Sequence, residues 1–163
     1  MTDNQSNQLE QLIAEAELRR LTTNYAIATD ALGSGDPDRQ SSGRALYHEV
    51  FAPDARISAG ESEEYIGPDA WADYVGTALE TFSTTQHLVG TIDIELTGKD
   101  TARIATYLSA THEYEPRGTL WIVLGTYDDE AALTPSGWRI TKRHLTMTSS
   151  EERAHDAAST NQT

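Results

Sequence analysis

The hydrophobic period of this chain changes once, near Ser83, and that change limits the folds open to it. Before Ser83, apolar residues recur at three- and four-residue steps; after it, they alternate. Leu9, Leu12, Ile13 and Ala16, then Leu18, Leu21, Tyr25, Ala28 and Leu32, make one long amphipathic helix, stopped by Gly33-Ser34-Gly35-Asp36-Pro37. A shorter helix is expected over about 41–51, ending before Pro53. A third opens at Pro68, with Trp71, Tyr74, Val75, Ala78, Leu79 and Phe82 as its apolar face. Between these two, 55–58 and 64–66 read as a short hairpin across Gly60. Strands follow over 87–96, 102–114, 120–128 and 138–148, with short turns such as Thr134-Pro135-Ser136-Gly137, the pattern of an antiparallel meander. Three helices followed by strands give an α+β domain, the helices packed on the concave face of a curved, mostly antiparallel sheet with a pocket near the strand ends. The domain is expected over 8–148, with flexible polar tails at 1–7 and 149–163.

Charge and composition narrow the partners. A net charge of −14 speaks against nucleic acid and anionic membrane, both of which need basic surface. Zero cysteines exclude a disulfide scaffold, a thiolate metal site and a cysteine nucleophile. The first residues are polar and acidic, unlike a signal peptide, and no apolar run approaches membrane-spanning length. A cytoplasmic location is expected.

One acidic residue stands in unusual company. Asp30 is the only charged side chain between Leu21 and Gly35, near the end of a helix otherwise suited to burial. A buried carboxylate is costly unless paired. Thr85-Gln86-His87-Leu88-Val89 offers a partner, and a His–Asp pair in an apolar cavity is a proton-transfer device. The competing reading makes Asp30 a cap for the Gly-rich turn and His87 a satisfied strand residue. Tyr25 lies on the apolar stripe, so a core role competes with proton donation. It stands about 140° around the helix from Asp30, so both reach a cavity only if the helix is buried over a wide arc. On the last strand Arg143 shares a face with Thr141, Leu145 and Met147. His112 shares parity with Leu108 and Ala110, which allows it to line a pocket. No spacing motif supports a metal or a phosphate loop.

Tyr25-x4-Asp30, Phe51-Ala52-Pro53-Asp54-Ala55, Gly67-Pro68, Thr85-Gln86-His87-Leu88-Val89 and Gly137-Trp138-Arg139-Ile140 with Arg143 occur in the order found in the SnoaL-like family of the NTF2-like superfamily, which this chain resembles over roughly residues 8–148. Members include scytalone dehydratase, bile acid 7α-dehydratase, hexachlorocyclohexane dehydrochlorinase and polyketide cyclases. The resemblance implies an NTF2-like cone with a conical pocket and acid–base chemistry without a cofactor or metal. His87 matches the family's base and Asp30 the residue that orients it. Tyr25 stands where some members have a tyrosine and the dehydrochlorinase a lysine. Arg143 matches a last-strand arginine expected to hold an oxyanion or carboxylate, and His112 a second histidine of scytalone dehydratase.

The expected function is a dehydratase- or isomerase-type lyase acting on a small, mostly apolar ring compound: a polyketide, steroid or aromatic metabolite. A cyclase of the same fold, or a non-catalytic binding or structural subunit, is the alternative, since fold does not decide function. A homodimer or homotrimer is expected through the outer sheet face, with Trp121, Val123 and Ile140 as the apolar residues that need covering.

Overall fold

Turn and cap chemistry sets the helices. No glycine or proline interrupts residues 3–32, and α1 runs over the whole of Asp3–Leu32. In the computed structural model, which describes residues 3–156, the expected tail at 1–7 is therefore helical from Asp3 onward, and residues 1–2 lie outside the described residues. Leu18, Leu21, Tyr25, Ala28 and Leu32 are buried as the spacing predicts, while Leu9, Leu12 and Ile13 are exposed on the helix's first turns. The second helix, α2 (Pro37–Val50), begins before its expected start because Asp36 caps it, accepting from the N–H groups of Asp38 and Arg39 with Pro37 in the first turn. The third, α3 (Gly67–Leu79), opens at a glycine with φ of +81°, where an added Cβ would stand 2.6 Å from the Pro53 carbonyl oxygen. Phe82 is not part of its face; it begins the next strand. No helix among the described residues is long and apolar enough to cross a membrane.

The strands are β1 (Phe51–Ala59), β2 (Tyr65–Ile66), β3 (Phe82–Leu96), β4 (Thr101–Tyr114), β5 (Thr119–Thr134) and β6 (Gly137–Ala154). They form one six-stranded sheet in the order β2-β1-β6-β5-β4-β3. The meander from β3 to β6 is antiparallel as expected. The short hairpin does not stand apart: β1 joins the sheet parallel to β6, with Ile57 opposite Arg143. Register shifts between Gly90 and Asp93 and between Leu124 and Gly125 mark bulges, which bend a sheet.

The last strand runs past its expected end at 148. Residues 149–154, expected as tail, pair with the start of β5, with Thr119 opposite Ala154; both faces there are exposed, so a polar sequence suffices. Residues 157–163 lie outside the described residues. His155, just past the end of β6, donates its backbone N–H to the Gly118 carbonyl and sets Nε2 2.8 Å from the buried Glu113 carboxylate.

Sheet parity decides which side chains face the helices. α1 runs antiparallel to β3: Arg19 donates to the Ile92 carbonyl near one end, and Asp30 reaches His87 near the other. The helices cover the face that carries Val123, Tyr127 and Ile140, which are buried. The outer face instead exposes Leu88, Tyr107 and Leu124. Trp121, Val123 and Ile140 are therefore inner-face residues, contrary to the expectation that they need a partner. Alternation separates two faces but does not say which one the helices take.

Candidate active site

The end of α1 and the start of β3 build the centre of the site. Asp30 accepts three hydrogen bonds from His87. Its Oδ1 lies 2.8 Å from the ring Nδ1 and 3.0 Å from the backbone nitrogen, which also reaches Oδ2 at 3.2 Å. The His87 side chain is 8% exposed and that of Asp30 25%. A carboxylate cannot donate to Nδ1, so Nδ1 carries the proton. The free lone pair is then on Nε2, on the opposite edge of a ring that lines the cavity. The backbone bonds matter equally: one acid holds both the strand and the ring it carries.

His112, on β4, is the neighbour of His87. The two ring centroids are 5.3 Å apart, nearly perpendicular. His112 packs against Phe82 and Trp121 at centroid distances of 4.9 and 5.2 Å, and its Nδ1 is 2.8 Å from the Thr85 hydroxyl. Burial, and then the His87 ring, push its pKa down to about 4. It is therefore neutral at neutral pH. The folded pKa lies below the unfolded value of about 6.5, so the unfolded chain takes up this proton first as pH falls. Stability from this group is complete above about pH 6.5 and lost towards pH 4, by about 2 kcal/mol once solvent near the cavity is allowed for. Urea titrations of His112→Phe and the wild-type protein are expected to converge across that window as the wild type loses stability. Parallel curves would remove His112 from the acid response.

Tyr25 lies on the helical side of the same cavity and is buried. Its hydroxyl accepts from the Trp71 indole N–H at 3.3 Å, and its ring stacks on Tyr47 at 5.4 Å. Tyr25 lines the cavity, whereas Asp30 meets it only through His87. Arg143 is inside, as expected, but it meets a carboxylate of the protein and does not line the cavity. Its guanidinium is fully buried behind the Tyr25 ring, 3.9 Å from the centroid, and makes a two-point contact with Asp129: Nε at 2.7 Å and Nη2 at 2.5 Å. Burial raises the Asp129 carboxyl above its ordinary range and the guanidinium limits that rise. The arginine is thus engaged by an acid on the adjacent strand rather than offered to the cavity.

The cavity itself is about 180 Å³, walled by His87, His112 and Tyr25 together with Trp71, Tyr74, Leu108, Val123 and Met147 among others. Ala110, opposite His87 in the β3–β4 register, lines the cavity with a small side chain beside that ring. Thr85, Trp71 and Asp129 are site or support residues that the sequence reading passed over. Thr85 had a usable signal, since it shares parity with His87; Asp129, inside the acidic run Asp128-Asp129-Glu130, had none. Among the described residues, no group of three or more histidine, aspartate or glutamate side chains is placed to hold a metal ion.

Comparison with known proteins agrees with this architecture. A protein of Mycobacterium tuberculosis (strain H37Rv), itself uncharacterized, is 29% identical over 133 residues, spanning 78% of this chain and 80% of its own length. Three solved structures share the fold. A hexachlorocyclohexane dehydrochlorinase, LinA type 3, from Novosphingobium barchaimii superposes with a TM-score of 0.77 at 16% identity, covering 91% of this chain and 96% of that one. A candidate scytalone dehydratase from Novosphingobium aromaticivorans gives 0.74 at 19%, covering 92% and 94%. An NTF2-like protein with a cystatin-like fold from the same organism gives 0.72 at 18%, covering 97% and 94%. The model of the SnoaL-like domain matches residues 10–144, and with that span, this helix order and this conical sheet the chain belongs to the SnoaL-like family of the NTF2-like superfamily.

Proposed function

We propose that the protein is a cofactor-independent lyase or isomerase that removes a proton from a small, mostly apolar ring compound carrying a carbonyl or hydroxyl group. The observation that carries this reading is the 2.8 Å contact between Asp30 and His87 Nδ1 at the wall of an apolar cavity. His87 Nε2 takes a proton from a carbon next to the activating group, and Asp30 stabilises the imidazolium that forms. The electron pair moves into the neighbouring bond. In a dehydration the C–O bond then breaks, the departing oxygen collects a proton, and water leaves. Tyr25 supplies a hydroxyl at the cavity wall for that oxygen. Two fold neighbours named for elimination chemistry favour dehydration over cyclisation.

Cavity size narrows the substrate. An apolar cavity of roughly 150 Å³ holds benzene. At about 180 Å³, this one suits a single substituted ring better than a fused steroid skeleton. Incubating the protein in D₂O with a panel of single-ring ketones and hydroxyketones tests the reading. Deuterium incorporation or water loss, read by mass spectrometry, is expected with the wild-type protein and not with His87→Ala. Tight binding of a panel member with neither event would favour a binding protein.

The outer sheet face supports self-association. Leu88, Tyr107 and Leu124, 67%, 60% and 45% exposed, border an outer-face groove of about 500 Å³. A dimer or trimer that buries this patch is expected at micromolar concentration, and Leu88→Lys with Leu124→Lys is expected to give monomers. Light scattering checks both; a monomeric wild-type protein would end the idea.

A further inference from the structure

We infer that Thr85 is the positioning residue that fixes the tautomer of His112, so that the two histidines offer opposite hydrogen-bonding roles to one substrate. This rests on His87 acting as the base. Thr85 and His87 are two residues apart on β3, on the same face; Thr85 meets Nδ1 of His112, and Asp30 meets Nδ1 of His87. Asp30, an acceptor, keeps the proton on His87 Nδ1 and leaves Nε2 as a lone pair. Thr85 has the complementary chemistry. Its hydroxyl lies 2.8 Å from His112 Nδ1, and among the described residues its proton has no second acceptor. Donation to Nδ1 satisfies that proton and places the His112 hydrogen on Nε2. The reverse arrangement leaves the hydroxyl proton unpaired beside a lone pair on Nε2.

The surroundings hold this arrangement in place. Phe82 and Trp121, their rings parallel within 8°, both pack against the imidazole. Gly33, one turn beyond Asp30, allows Thr85 to sit where it does: a Cβ on residue 33 would stand 2.3 Å from Thr85 Cγ2. The end of α1 therefore seats both members of the Thr85–His87 pair, through Asp30 for one and through the absence of a side chain at 33 for the other. Because His112 is neutral, its Nε2–H donates a hydrogen bond without giving up a full proton. A lone pair on one ring and an N–H on the next suit a substrate whose acidic C–H lies next to an oxygen acceptor, such as an enolisable ketone or β-hydroxyketone. A carbon-bound halogen accepts hydrogen bonds weakly and uses only half of this arrangement.

Histidine tautomers are directly visible in long-range ¹H–¹⁵N spectra of the ¹⁵N-labelled protein, with His112→Asn to assign the signals. At neutral pH the wild-type His112 is expected as the Nε2–H form, with a pyridine-type Nδ1. Thr85→Ser keeps that pattern. Thr85→Val keeps the methyl beside Gly33 but removes the hydroxyl, and the pyridine-type signal is expected to move to Nε2 or to split between the two nitrogens. Thr85→Ala provides a second hydroxyl-free variant should the valine fail to fold. An Nδ1–H form in the wild-type protein, or identical spectra for wild type and both hydroxyl-free variants, would overturn the inference. Asp30→Asn is expected to leave His112 unchanged, so failure of the base reading at His87 is distinguishable from failure at Thr85.

Discussion

Asp30→Asn is expected to slow turnover by about 10²- to 10⁴-fold while leaving the fold intact. The two effects separate because Asp30 has two tasks. One is structural: its oxygens accept the backbone N–H of His87. An asparagine carbonyl continues to do that. The other is electrostatic: the negative charge stabilises a positive ring once His87 has taken its proton, and the amide removes it. Circular dichroism and thermal melting should therefore change little while the rate on any substrate found by the ring-compound panel collapses. His87→Ala should remove turnover altogether. A variant with near-wild-type turnover would show that the carboxylate only anchors the strand, and the cavity would then be a binding site.

The second large effect lies behind the cavity, in stability rather than rate. Asp129→Ala is expected to cost about 3–5 kcal/mol, because it leaves the Arg143 guanidinium charged, fully buried and without its carboxylate. The aromatic faces of Tyr25 and Tyr127, 3.9 and 4.4 Å from the guanidinium carbon, offset only a small part of that cost. Replacing both partners with apolar residues, as in Asp129→Leu with Arg143→Met, should recover most of the loss, since no charge remains to be desolvated. Urea midpoints for the single and double variants decide the matter. A single variant as stable as wild type would mean that water reaches Arg143 and that the pair contributes little.

The helix-then-strand order was legible because period is a local property of sequence. Leu18 to Leu32 and Trp71 to Leu79 announce buried helix faces, and the alternation in 102–114 announces a strand. Ends were less legible where a polar segment draws its hydrogen bonds from a distant partner. Residues 149–154 pair with the start of β5, and nothing within them signals it. The faces of the sheet were not legible at all: Val123 and Leu124 are both apolar, and only the docking of α1 makes one inner and the other outer. At the site, Asp30 and His87 could be matched because a lone charge in an apolar helix has few ways to be satisfied. Arg143 was legible as a buried residue, but its partner was not. Its partner is one of three consecutive acids, and sequence alone does not say which of them turns inward.

Ala110 gives the site a separable adjustment. It stands across from His87 on the neighbouring strand and lines the cavity, so its side chain sets the free space beside that ring. The residues that make the Asp30–His87 contact come from the end of α1 and the start of β3; the residue that lines the cavity beside it comes from β4. A substitution at position 110 therefore changes the volume of the cavity, glycine enlarging it and valine reducing it, while the groups around His87 Nδ1 and His112 Nδ1 stay as they are.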